Sequence, residues 1–300
     1  MSHPETLVLV NPAAGRGRTA DRLSHFRELL RRSLPGFDEV ETARPGHEIE
    51  LTDRALQGGC RMVVAVGGDG TWSLVADRVL RSGRDDVAVA LLPSGTGNDF
   101  GKSFGIVAER AEEIVAAIAA RKTRRVDVGR VGERHFLNVV GCGFDIAVID
   151  DSYRVPILRG DLLYRFCALR QLFRFPGLPV TISGSNGSAP ERIDHLMLVV
   201  ANGRYFGGSF DIAPKADLAD GRLEMVSIAN APPFERARLF GLVAKGRHEG
   251  HPRVRIRSAS RFRIEGPPPL RYEIDGEVLE SANGVLEIEC RPQALELVVP

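Results

Sequence analysis

The chain has 300 residues, 43% of them hydrophobic and 26% charged, which suits one large or two medium folded domains and excludes a mainly disordered chain. Its 40 Lys and Arg are balanced by 39 Asp and Glu, so it lacks the basic excess of a dedicated nucleic-acid binder, and none is expected as a partner. No apolar run reaches the ~20 residues of a membrane span, no basic segment followed by an apolar stretch suggests a signal peptide, and Cys60, Cys142, Cys167 and Cys290 are too scattered for a zinc site or disulfide framework, which leaves a reducing cytoplasm as the expected compartment.

In chain order, residues 6–10 read as a strand and 19–34 as a helix with Leu23, Phe26, Leu30 and Leu34 on one stripe. A strand over 39–42 and a helix over 47–57 follow, the helix stopped by Gly58 and Gly59. Strands over 62–66 and 87–92 flank a helix over 71–80, and a helix over 107–121 comes next. Continuous apolar strands separated by helices imply a parallel sheet covered on both faces.

From about residue 124 the pattern changes. Strands are expected over 126–131, 135–140, 180–183, 193–201, 223–228, 254–264, 272–274, 286–289 and 295–299, with only two helices, over 161–175 and 234–247. That predicts an α/β domain over 1–125 and a mostly antiparallel β-sandwich over 126–300, the final strand being a candidate to pack back on the first domain.

Three loops rich in small residues end strands of the first half: Asn11 to Gly17, Gly67 to Thr71, and Pro93 to Phe100. At the carboxyl ends of parallel strands such loops converge on one crevice, where backbone N–H groups and helix N-termini suit phosphate. A plain tight turn would give the same GGDG string. Asp69 would repel phosphate, and it makes sense there if it holds a metal or orients the backbone. Neither GxxxxGK[ST] nor GxGxxG occurs.

Together with these loops, Gly143-Phe144-Asp145 and Asp275-Gly276-Glu277 make the chain resemble the diacylglycerol kinase catalytic family, which includes bacterial lipid kinases and sphingosine kinases. The GGDGT string is shared with the distantly similar NAD kinases. The resemblance covers almost the whole chain and implies an ATP- and magnesium-dependent lipid kinase with its nucleotide cleft between the two domains. It implies that Asn11, Pro12, Ala13, Ala14, Gly15, Thr42, Gly67, Gly68, Asp69, Gly70, Thr71, Trp72, Ser73 and Thr96 line the nucleotide, with Asp69 also catalytic. Relatives often carry an amide where this chain has Ser73, so altered nucleotide contacts are expected there.

The segment from Pro214 to Leu223 is similar to the family's magnesium loop, which implies Asp220 as side-chain ligand and the carbonyls of Asp217 and Arg222 as backbone ligands. An Asp-Gly turn into a strand explains the same residues. Phosphoryl transfer to an alcohol needs a proton acceptor. The resemblance assigns that work to the DGE segment and leaves Asp275 and Glu277 as alternatives, with Asp127 a further cleft candidate.

Residues 154–178 carry Arg154, Arg159, Arg165, Arg170 and Arg174, and Leu162, Leu163, Phe166, Leu169, Leu172 and Phe173 are expected on one helical face. A basic amphipathic helix suits an anionic membrane surface, and equally a helix packed on the sandwich with solvated arginines. The resemblance favours the first, hence a cytoplasmic protein held peripherally at a membrane with a lipid as substrate, and with homodimer formation left open. Rival readings are an NAD-kinase-like enzyme with a soluble substrate and a non-catalytic nucleotide- or lipid-binding regulator.

Overall fold

The computed structural model describes residues 5–14, 20–95, 97–154, 160–184, 189–208 and 210–300. Gly15, Thr96 and Arg159 of the expectations above lie outside them, and the side chains of Leu162 and Arg165 are likewise not described.

The first half alternates β1 (Thr6–Val10), α1 (Ala20–Ser33), β2 (Asp38–Glu41), α2 (His47–Gln57), β3 (Met62–Gly67), α3 (Asp69–Arg81) and β4 (Ala88–Pro93), then α4 (Asp99–Lys102) and α5 (Ala111–Ala119). The sheet order is β2-β1-β3-β4, all parallel. Every residue of β1, β3 and β4 is buried, as unbroken Val/Leu/Ala runs covered by helices on both faces require. Val10 lies opposite both Glu41 and Val66, and Gly67 opposite Pro93, so the loops leave the sheet at one level. The helix expected over 107–121 is shorter, because a 3-10 turn at Ala108–Arg110 precedes α5.

The second half comprises β5 (Thr123–Val131), β6 (Arg134–Phe136), β7 (Val139–Gly143), α6 (Phe144–Tyr153), α7 (Gly160–Arg174), β8 (Leu178–Gly184), β9 (Glu191–Ala201), β10 (Tyr205–Phe206), β11 (Phe210–Asp211), β12 (Leu223–Ala229), α8 (Pro233–Val243), β13 (Val254–Ala259), β14 (Arg261–Glu265), β15 (Leu270–Ile274), β16 (Glu277–Ser281) and β17 (Val285–Val298). Its strands pair antiparallel into a sandwich. Strand β9 shows the logic of alternation: Leu198 and Val200 point into the core between the sheets. Met197, Val199 and Ala201 point into a second core roofed by α6, α7 and α8.

Four expectations need correction. The run 135–140 is two strands, because residues 137 and 138 turn their N–H groups onto a carboxylate described below. The run 254–264 breaks at Ser260, where the chain leaves the β12 partner for β8 and β17. Segments 286–289 and 295–299 are one strand, β17, with a register shift between Arg291 and Leu295. Helix α6 joins the two expected helices; its apolar residues keep no helical period, and no element is expected there. Strand β17 pairs antiparallel with β5 and β14, and in parallel with β4 of the first half.

Candidate active site

A cleft of about 520 Å³ opens between the halves, within the usual range for small-ligand sites. Asn11, Pro12, Ala13, Thr42, Gly70, Thr71, Ser73, Asp275 and Glu277 all line it, so residues far apart in sequence converge there. The starts of α2 and α3 reach it through Gly46, Glu48, Gly70 and Thr71. Two helix N-termini at one cavity supply unpaired N–H groups and positive potential, which suits an anionic ligand.

The first wall is cross-linked by side chains. Asn11 Nδ2 donates to Thr71 Oγ1 at 2.9 Å and to Glu48 Oε1 at 3.1 Å, while Asn11 Oδ1 accepts the Ala13 N–H at 3.0 Å. Thr42 is buried, and its N–H donates to the Val10 carbonyl at 2.9 Å. Two of the glycine loops are fastened to each other. The N–H groups of Ser94 and Gly95 donate to the Gly67 carbonyl at 2.9 and 3.2 Å. A Cβ on Gly95 would lie 2.8 Å from Gly68 Cα, so glycine is needed for the loops to touch.

Asp69 stands behind this contact. Its Oδ1 accepts the Phe100 N–H at 3.2 Å. Burial, and then the neighbouring charges of Asp99 and Asp275, push its carboxyl up to about 6. A carboxyl raised this way gains most from a nearby cation. Asp69, Gly67, Gly68, Ala14 and Trp72 do not themselves line the cleft. Trp72 is fully buried, with its indole N–H donating to the Ala65 carbonyl at 3.2 Å. It belongs to the core and is corrected from the nucleotide-lining set.

The DGE turn forms the opposite wall, and its two acids differ sharply. Asp275 adopts a left-handed φ of 46°, and its carboxylate accepts four hydrogen bonds. Oδ2 takes Ser73 Oγ–H at 2.8 Å and the Leu137 N–H at 2.8 Å. Oδ1 takes the N–H groups of Asn138 at 3.0 Å and Val139 at 2.9 Å. Burial raises the Asp275 carboxyl, and these donors oppose the rise. Glu277 is exposed, and its Oε2 accepts from Arg134 Nη2 at 2.7 Å, while Oε1 has no hydrogen bond among the described residues. Ser73 is therefore committed to holding the turn.

Asp127 is corrected from cleft candidate to anchor. It is fully buried, and its two oxygens accept the N–H groups of Gly221 at 2.6 Å and Gln293 at 2.7 Å. That fixes the segment carrying Asp217, Asp220 and Arg222, which lies away from the cleft. Asp220 Oδ1 accepts the Arg222 N–H at 2.9 Å, and Asp217 Oδ1 accepts the Ala219 N–H at 3.0 Å. Among the described residues no three His, Cys, Asp or Glu side chains gather to hold an ion. The exposed Asp220 carboxylate with turn carbonyls fits only a largely hydrated ion, which is the habit of magnesium.

Sequence reasoning missed Glu48 and Arg134. Glu48 is buried in the first turn of α2, directly after Gly46 and His47. Arg134 sits in the short β5–β6 hairpin and carries no local signal; only the fold brings it to Glu277. The loop at Tyr205–Gly208 docks on the first half, where Lys102 Nζ donates to the Gly208 carbonyl at 2.8 Å and Asp99 Oδ2 accepts its N–H at 2.6 Å.

Comparison with known proteins fits this architecture. Residues 5–131 match the diacylglycerol kinase catalytic domain, and residues 138–299 match the YegS C-terminal NAD kinase beta sandwich-like domain. The chain is 32% identical over 263 residues to a "Probable lipid kinase YegS-like" of Pseudomonas aeruginosa, covering 86% of this chain and 83% of that one. It is 27% identical over 300 residues to a diacylglycerol kinase of Mycobacterium tuberculosis, covering 98% and 94%. A crystal structure of a diacylglycerol kinase from Bacillus anthracis superposes with a TM-score of 0.74 at 20% identity, covering 98% of this chain and 96% of that one, a likeness of fold.

Proposed function

The chain belongs to the lipid kinase family built on the diacylglycerol kinase catalytic domain, and from that premise we propose that it transfers the ATP γ-phosphate to a hydroxyl of diacylglycerol or a related lipid. The nucleotide phosphates would lie at the starts of α2 and α3, against Asn11, Gly70 and Thr71. Magnesium arriving with the nucleotide would neutralise phosphate charge, and Asp69, whose raised carboxyl lies behind the glycine loops, would gain from that cation without lining the cleft. Asp220 with the Asp217 and Arg222 carbonyls would hold a second, structural ion.

One observation favours Glu277 of the two acids of the DGE turn. All the hydrogen-bonding capacity of Asp275 that faces the protein is engaged by four donors, whereas Glu277 lines the cleft with one oxygen uncommitted. Glu277 is therefore the proton acceptor for the lipid hydroxyl, and Asp275 is a positioning residue that locks the turn. Arg134 orients Glu277 by holding its other oxygen. The NAD-kinase-like sandwich keeps a soluble-substrate kinase as the second reading; the names of the relatives favour a lipid.

The test is Glu277→Gln assayed with labelled ATP, magnesium and a lipid panel in mixed micelles. Turnover should fall by about 10²–10⁴ with ATP affinity and melting temperature little changed. Turnover within tenfold of wild type would show that Glu277 is not the base.

A further inference from the structure

Helix α7 is apolar on two opposite faces. Cys167 is fully buried, and Leu163, Ala168 and Leu172 pack into the core under the helices. At i, i+3 and i+7 on the far side, Phe166 is 43% exposed, Leu169 58% and Phe173 61%. The single apolar stripe expected from sequence is thus two stripes, one of them facing water. Phe234, at the start of α8, is 85% exposed and meets Phe173 edge to face, with ring centroids 6.5 Å apart.

These four are all but one of the large hydrophobic side chains exposed among the described residues, the fifth being Ile49 in the other half. A contiguous apolar patch drawn from two helices is a surface that something covers. Arginines flank it. Arg174 closes α7, and Arg238 lies one turn beyond Phe234. Both are exposed, and neither makes an ion pair or hydrogen bond among the described residues, unlike Arg170, which is paired with Asp151. An aromatic and leucine face edged by exposed arginines, Arg238 with Glu235 as an acidic neighbour on its own helix, matches a bilayer surface, whose headgroups take the charge and whose acyl boundary takes the rings.

We propose that the α7–α8 face, through Phe166, Leu169, Phe173 and Phe234 with Arg174 and Arg238, docks the protein on an anionic bilayer. The inference rests on the lipid-kinase reading and names the surface that would bring the cleft to its substrate. No helix among the described residues is long and apolar enough to cross a membrane, so binding would be interfacial.

The experiment is co-sedimentation of the full chain with vesicles of phosphatidylcholine, alone or with phosphatidylglycerol, without ATP or diacylglycerol. Wild type should bind the phosphatidylglycerol vesicles and release as salt rises. The Phe173→Ser/Phe234→Ser variant should lose about tenfold or more of that binding at unchanged melting temperature. Arg174→Glu/Arg238→Glu should lose the preference for phosphatidylglycerol. Equal binding by wild type and the serine variant overturns the proposal. So does a wild-type dimer that the serine variant dissociates, since the patch would then be covered by a second copy. Activity on a short-chain, monomeric diacylglycerol, measured in parallel, reports on the kinase reading alone: the serine variant should keep it, and its absence in wild type would count against the kinase reading whatever the vesicles show.

Discussion

The two walls of this molecule are made of different material. The first-half wall of the cleft is largely backbone, with glycine loops in contact, helix starts and main-chain N–H groups tied together by the Asn11 side chain. The helix-covered face of the second half is side chain: an aromatic patch outside and, beneath it, a pair of acids. Asp145, on the first turn of α6, and Glu273, on β15, are both buried above Gly141, where a Cβ would come within 2.7 Å of Asp145 Oδ2 and 3.0 Å of Glu273 Oε1. Three of their oxygens have no donor. Two buried carboxyls side by side without a donor resist being charged together and so favour holding a proton between them, and burial raises Asp145 to about 6 and Glu273 well above its ordinary range. Where main chains of the first wall touch, as at Gly95, there is no room for an extra atom, whereas a side-chain wall tolerates a chosen substitution.

The largest effect should come where side chain and backbone meet. Asp275→Asn keeps the shape and the left-handed turn, but its amide faces donors where an acceptor stood. Loss of about 3 kcal/mol is expected, read as a fall in the denaturant midpoint together with reduced turnover. An unchanged midpoint would mean that the turn is held by something other than these four bonds.

Next comes the backbone wall itself. Gly95→Ala should cost about 2 kcal/mol, because the new methyl meets main chain that cannot move aside. Gly70→Ala is the control: nothing lies within 4 Å of its Cβ, so stability should hold. Equal melting temperatures for the two variants would mean that the contact between the glycine loops is not tight.

The smallest effect tests the acid pair. Its carboxyls titrate higher in the folded chain than in the unfolded one, so the folded state binds more protons. Stability is then fully present below pH ~4 and falls as pH rises through about 6 and beyond. Glu273→Gln supplies the missing donor without a proton. It should match wild type near pH 4 and exceed it by about 1–2 kcal/mol near pH 8. Parallel melting curves across that range would show that the pair carries no shared proton. The groups around it, Cys142 and Asp275, are also raised by burial, so none of them supplies the opposite slope.

The same contrast explains what could be read from the sequence. The first half was legible because its information is local: unbroken apolar runs give buried parallel strands, and glycines mark each place where main chains touch. Asn11, Thr42, Thr71 and Glu277 all line the cleft. The second half was less so. Helix α6 carries no helical period. The roles within the DGE turn depend on N–H groups at 137–139, which lie 136 to 138 residues earlier in the chain. The exposed stripe of α7 escaped because both its faces are apolar, and hydrophobicity alone does not tell which one the core takes.

Strand β17 has a consequence for how the protein is made. Glu296 and Leu297 lie beside Ala88 and Val89, so the outer edge of β4 stays bare until residues near 298 leave the ribosome. The sheet of the first half is closed at that edge by the same late segment that runs through the sandwich, so it cannot be complete before the chain is nearly finished.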